Sequence, residues 1–249
     1  NPNLDIRENE IRDIINNNTS TGFNVAGIRV AGVGNTDIEI WNNIVRDVIT
    51  ARKTATLGAN SSYALFVTGT CTGLIVNHNT FGLIQPNSAS FFANYYTSTV
   101  LFNTNAVVNQ FTNNIVVNNN TSPNAHCLSL SGTGLTNTVF NNNCYSSRQG
   151  VIANGFTTLS SWQLATGRDV ASFVEYPPFI SPTNLRIQTS SAPTTRLESR
   201  ALASNVGFDI DDEFRPGPTG SPTGKDIGAD EFEGVVYVRP SISVFQHSR

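Results

Sequence analysis

Residues 38–43 read Ile38-Glu39-Ile40-Trp41-Asn42-Asn43, an apolar alternation that ends in asparagine. Four other stretches repeat it: Leu4-Asp5-Ile6-Arg7-Glu8-Asn9, Leu74-Ile75-Val76-Asn77-His78-Asn79, Val100-Leu101-Phe102-Asn103-Thr104-Asn105 and Thr138-Val139-Phe140-Asn141-Asn142-Asn143. An apolar residue follows each one, at Ile44, Ile11, Phe81, Val107 and Cys144 respectively. A period of two marks a half-buried strand. A strand that recurs with the same terminal residue describes a unit that stacks on copies of itself, that is, a solenoid. The spacing of Asn9, Asn43 and Asn79, about 35 residues, is in the range of stacked repeats.

Asparagine suits the end of such a strand. Stacking places equivalent side chains about 4.8 Å apart. A buried amide carries both donor and acceptor, so like amides bond to one another and to the backbone at the bend. Asn9, Asn43, Asn79, Asn105 and Asn143 are therefore expected to form a structural ladder. A second alternating element lies between them, at Gly27–Gly32, Ala64–Gly69, Phe91–Tyr96 and Cys127–Gly132. Residues 109–117 resemble a further strand–turn unit that follows Asn105 too closely for a full winding. They are either the next face of one winding or a winding whose loop has been lost.

Composition agrees. Of 249 residues only 13% are charged, and about one in eight is Asn. Asn, Thr and Ser favour turns, not helical bundles. The net charge of −3, with lysine only at Lys53 and Lys225, leaves no basic stripe for nucleic acid. No run is apolar and long enough to span a membrane as a helix. With no methionine and a start at Asn1-Pro2-Asn3, the chain is expected to be a segment of a longer polypeptide, with neighbouring modules as partners. Cys71, Cys127 and Cys144 fit neither a disulfide framework nor a zinc pattern. They read as buried small hydrophobes, with a Cys127–Cys144 bridge as the alternative.

The character changes near residue 157. Leu159, Trp162, Gln163 and Ala165 fit a short helix capped by Ser160 or Ser161 and stopped at Gly167. The division expected is windings over 1–157, a C-terminal cap over 158–234 and a linker or following module over 235–249. A cap is needed because the last winding otherwise exposes its interior.

The C-terminal third carries a more specific pattern. Leu159-Ser160-Ser161-Trp162-Gln163, Ser172–Phe179, Asn184-Leu185-Arg186-Ile187 and Asp209–Pro216 precede Asp226-Ile227-Gly228-Ala229-Asp230-Glu231-Phe232. With the asparagine-ended strands, this resembles the end of large secreted right-handed parallel β-helix proteins of the Bacteroidetes type. The resemblance covers all but the last fifteen residues or so. It implies an all-β right-handed parallel β-helix with an irregular cap, an extracellular or cell-surface location, and a structural or adhesive role. Distant relatives of that fold include polysaccharide lyases.

On the first strand face the outward positions include Asp5, Arg7, Glu8, Glu39, Trp41, Asn42, Ile75, Asn77, His78, Leu101, Asn103 and Thr104. Trp41, Glu39, Arg7 and His78 are the candidates for binding a polysaccharide, because an indole stacks on a sugar ring beside polar groups. A lyase acting on uronates needs a base and a cation, for which Arg7, His78 and Lys53 are the candidates. The densest acids are Asp209, Asp211, Asp212, Glu213, Asp226, Asp230 and Glu231. The reading adopted is that Arg215 pairs with Asp226 or Glu231 to lock the cap. Calcium on Asp209 and Asp211 is the alternative, and no other cofactor is expected.

Overall fold

The computed structural model describes residues 4–17, 24–31, 33–50, 61–84, 96–103, 106–131, 138–153, 155–190, 194–217 and 224–237. Among the described residues it is all-β apart from one short helix. Three parallel sheets dominate, and in each the strands stack in chain order. The first holds β1 (Leu4–Arg7), β6 (Ile38–Trp41), β10 (Thr70–Asn77), β13 (Ala106–Thr112) and β16 (Val139–Asn141), with β5 (Val33–Thr36) also pairing with β10. The second holds β2 (Glu10–Ile11), β7 (Ile44–Arg46), β11 (Thr80–Leu83), β14 (Ile115–Asn118), β17 (Cys144–Ser147) and β18 (Phe173–Val174). The third holds β4 (Val25–Val30), β9 (Ser62–Val67), β12 (Thr97–Phe102) and β15 (Ala125–Leu130). Strands β3 (Ile14–Asn16) and β8 (Val48–Thr50) form a separate parallel pair.

Register explains the core. In the first sheet Ile6, Ile40, Val76, Phe111 and Phe140 are successive partners. Val45, Phe81, Val116 and Tyr145 stack likewise in the second sheet, and Ile28, Leu65, Val100 and Leu128 in the third. All but the half-buried Ile6 are buried, and all three columns meet in one cluster. Several outward residues of the second sheet are also apolar: Ile44, Ile115 and Cys144 belong to another buried cluster. Burial on both faces is why this sheet reads as Ile44-Val45 and Ile115-Val116-Val117 rather than as an alternation.

At every bend between the first and second sheets the backbone turns through one left-handed residue. These are Glu8, Asn42, His78, Asn113 and Asn142, with φ between 51° and 58°. The next residue is the ladder asparagine. Asn9 Nδ2 donates to Asn43 Oδ1 at 2.9 Å, Asn43 to Asn79 at 2.9 Å, Asn79 to Asn114 at 3.0 Å and Asn114 to Asn143 at 3.2 Å. Each backbone N–H joins its own side chain on the same oxygen. The fourth rung is thus Asn114, not Asn105, which lies outside the described residues. The physical reason is pairing: Ala106–Thr112 aligns with β10 in the first sheet, while Thr97–Phe102 belongs to the third. Residues 109–117 are therefore the missing unit, and Leu101 packs with Tyr63 and Phe66 on another face.

The column needs a terminus, because the last rung has donors with no further amide above them. Asn143 donates its N–H to Ser172 Oγ at 2.8 Å and its Nδ2 to Asp169 Oδ1 at 3.0 Å. Asp169 also accepts from Tyr145 Oη, Trp162 Nε1 and Ser172 Oγ. Helix α1 (Leu159–Thr166) covers this end with Leu159 and Trp162. Its N-cap is Thr158, ahead of Ser160 and Ser161, in a capping box with Ser161. Gly167 ends the helix with φ 67°.

Beyond α1 the cap does more than close an end. Residues 173–181 lead through β19 (Phe179–Ser181) and β20 (Asn184–Ile187), an antiparallel pair. The segment that follows folds back along the outer face of the second sheet, where Leu185, Ile187, Leu197, Ile227, Ala229 and Phe232 cover Ile44, Ile115 and Cys144. Strand β21 (Thr194–Thr195) pairs with β22 (Val235–Val236), so Val235 and Val236 are tied to the cap, and residues 238–249 lie outside the described residues. All three cysteines are buried and unbridged.

The ladder sets a testable contrast. Asn79→Ala removes an amide that makes three side-chain donations, to Ile40 O, Asn77 O and Asn114 Oδ1, and accepts from Asn43. Several buried groups lose partners at once, so urea unfolding is expected to show a loss of about 3 kcal/mol or more. Asn9→Ala, at the exposed end, is expected to cost less than about 1 kcal/mol.

Candidate functional site

The outward positions of the first sheet form two rows, four and two residues before each rung. One row runs Asp5, Glu39, Ile75, Gln110, Val139 and the other Arg7, Trp41, Asn77, Thr112, Asn141. The cap segment at 200–208 passes beside them. Asn142 Nδ2 donates to Arg200 O at 2.8 Å, Asn113 Nδ2 to Leu202 O at 3.0 Å, and Asn42 Nδ2 to Phe208 O at 2.5 Å. Leu202 N returns a bond to Asn113 Oδ1 at 2.6 Å. The left-handed bend residues thus serve twice: they turn the chain, and their side chains fasten an antiparallel strap.

His78 is the third member of that column. Its Nε2 lies 3.0 Å from Ser204 Oγ and 3.2 Å from Asn113 Nδ2. Burial and the nearby Arg215 and Lys225 cations hold the imidazole well below its ordinary range. His78 is fully buried beneath the strap and does not face outward. The expectation that it faces outward fails: counted from the inward Leu74 and Val76 the alternation itself turns His78 inward, and Ser204 of the strap covers it.

Between strap and sheet runs a groove of about 270 Å³, lined by Glu39, Trp41, Ile75, Asn77 and Gln110 on the floor and by residues 203–206 on the wall. Arg7 reaches its edge by lying over the Trp41 ring, 5.0 Å from the centroid. Of the candidates, the structure brings Trp41, Glu39 and Arg7 together; it removes His78 to the layer below, and Lys53 lies outside the described residues. Gln110 was not among them. Its signal is positional, since it stands four residues before Asn114 as Glu39 does before Asn43.

The acids of the cap act chiefly as backbone acceptors. Arg215 is fully buried, and Glu231, at 2.8 Å from Nη1, is its ion-pair partner. Asp226 offers Arg215 its carbonyl at 3.2 Å, while its carboxylate accepts from Ser199 N and Phe232 N. The Phe208 and Gly228 carbonyls and Asn42 Oδ1 complete the guanidinium's partners. Gly228 adopts φ 110°, and a Cβ there would sit 2.6 Å from Ile115 Cδ1, so the strap lies against the second sheet only with glycine at this position.

Carboxylate oxygens of Asp209, Asp211 and Asp230 gather within 4.8 Å of one another. They already accept protons: Asp209 from the amides of Asp211, Glu213 and Glu231, Asp230 from Ile187 N, and Asp211 from Arg186 Nε at 2.5 Å and Nη2 at 2.7 Å. Arg186 also bonds Glu10 at 3.2 Å and so ties the strap to the first level of the stack. A cation at this cluster would have to displace these donors.

Searches against family models, curated proteins and solved structures returned no match to the chain.

The buried imidazole makes a pH test. The unfolded chain takes up a proton at His78 near pH 6.5, the folded chain does not, so this residue lowers stability as pH falls below about 6.5. Urea titrations at pH 7.5 and 5.5 are expected to show a larger acid loss for the native protein than for His78→Gln, by up to about 1.4 kcal/mol for each pH unit. Equal losses would remove His78 from this role.

Proposed function

We propose that this chain is a right-handed parallel β-helix module of an extracellular or cell-surface protein, and that it holds a glycan in the groove beneath the strap without catalysis of its own. The winding is supported by strands that stack in chain order in three parallel sheets, and by the asparagine column at one bend. The right-handed sense follows the rule for parallel crossovers. The secreted location rests on the resemblance carried by Asp226–Phe232.

The observation that carries the binding reading is the placement of Trp41 beside Glu39, Asn77 and Gln110 on one groove floor. An indole offers a sugar ring its apolar face, while carboxylate and amide groups suit hydroxyls. The lyase alternative loses support from the same geometry. His78 lies under the strap, and the Arg7 guanidinium is stacked on Trp41.

Calorimetry against a panel of neutral and uronate-containing oligosaccharides tests this. Saturable binding is expected, weakened about tenfold or more in Trp41→Ala, with no rise in ultraviolet absorbance from unsaturated products. Unsaturated products from uronates, abolished by Arg7→Ala, would replace the proposal with a lyase. Absence of binding across the panel would end it.

A further inference from the structure

A second concavity lies on the cap, away from the groove. It has a volume of about 590 Å³, within the usual range for ligand sites, and is lined by Thr189, Glu213, Phe214, Gly217, Glu231, Phe232 and Glu233. Phe214 is 59% exposed and leans on Phe208, itself 44% exposed, with ring centroids 4.8 Å apart. Two phenyl rings left in water beside a cavity are unusual when the same strap buries Ile227, Ala229 and Phe232. The backbone holds them there: Phe208 and Phe214 bridge across a tight turn whose amides bond Asp209.

Among the described residues, every charged one that lines this cavity is a glutamate. Glu231 is neutralised from below by Arg215 and bonded by Gly217 N and Asp226 N. Among the described residues, Glu213 and Glu233 have no ion-pair partner. Partial burial first, and then the neighbouring Asp209, Asp211 and Glu231, push the Glu213 carboxyl up. An aromatic wall under a negative rim attracts one chemical class strongly, an organic cation with apolar flanks. An anion is repelled by the rim, and a neutral apolar group leaves both carboxylates without a partner.

We propose that this cavity is a binding site for a lysine side chain of a partner polypeptide, with the ammonium between Glu213 and Glu233 and the methylene stem along Phe214. Four methylenes match the apolar wall, and the ammonium supplies the counter-charge that the two glutamates lack. The site shares no lining residue with the glycan groove.

Calorimetric titration of the full chain with a tetralysine peptide at low and high salt tests it. Saturable one-to-one binding is expected at about 20 mM salt, weakening severalfold at about 300 mM. Glu213→Gln and Glu233→Gln should each cost about tenfold, and Phe214→Ala about threefold or more. Glu8→Gln, an exposed acid at the far end of the stack, removes the same charge and should change nothing. The Nε-acetylated peptide should not bind. Phe214 is exposed, so its loss should leave the thermal midpoint unchanged and the result readable. If Glu8→Gln weakens binding as much as Glu213→Gln, or if Phe214→Ala binds as the native chain does, attraction is merely to net charge and the site is refuted. Equal binding of the acetylated peptide, or none of tetralysine, refutes it too.

Discussion

The amide column at one bend is the constraint on which the rest depends. Each interior rung, Asn43, Asn79 and Asn114, donates twice to the oxygen of the next and once more to the backbone of the level below, so a rung is satisfied only when its neighbours are in register. Register then fixes which residues meet in the interior. The spacing between rungs ranges from 29 to 36 residues, yet the column does not break. The variation is absorbed by the segments joining the second sheet to the third, ahead of the aligned residues Val25, Ser62, Thr97 and Ala125, whereas the return from these to the next rung keeps almost one length.

The column also has a direction. All donors face the C-terminal end, so its last amide presents only donors and must be met by acceptors. Ser172 and Asp169 meet it, and Asp169 is shared with Tyr145 and Trp162 of the covering layer. Burial pushes the Asp169 carboxyl up, and the hydrogen bonds from Ser172, Asn143, Trp162 and Tyr145 oppose that shift. One carboxylate therefore joins the ladder, the second sheet and the helix. Much of the cap follows the same logic: irregular backbone with little sheet to pair with takes its acceptors from Asp209, Asp226, Asp230 and Glu231.

Much of this was legible in the residues. Alternation ending in asparagine located four of the five rungs, and the apolar columns follow from it. Asn105 misled because Val100–Phe102 alternates as the true units do, and alternation does not say to which sheet a strand belongs. Only the spacing to Asn79 and Asn143 separates Asn105 from Asn114. His78 was read as outward together with Asn77, although it stands two residues after the inward Val76; what covers it is Ser204, far along the chain. Trp41 and Glu39 were correctly found on one face, but the wall opposite them comes from residues some 160 positions later in the chain. Such a long-range neighbour leaves no local mark. The motif at Asp226–Phe232 was visible, whereas its task of docking onto the second sheet through Gly228 depends on a contact with Ile115 that only the fold creates.

The strap has a consequence for how the molecule melts. In a simple stack each level touches only its neighbours, so the ends can fray while the middle persists. Here one irregular segment grips Asn142, Asn113, His78 and Asn42 in turn, and Arg186 reaches on to Glu10. Levels that never touch are thereby made to share a fate. Loosening the outermost one pulls on the fastening of all the others, which turns a row of weakly linked layers into a single cooperative body.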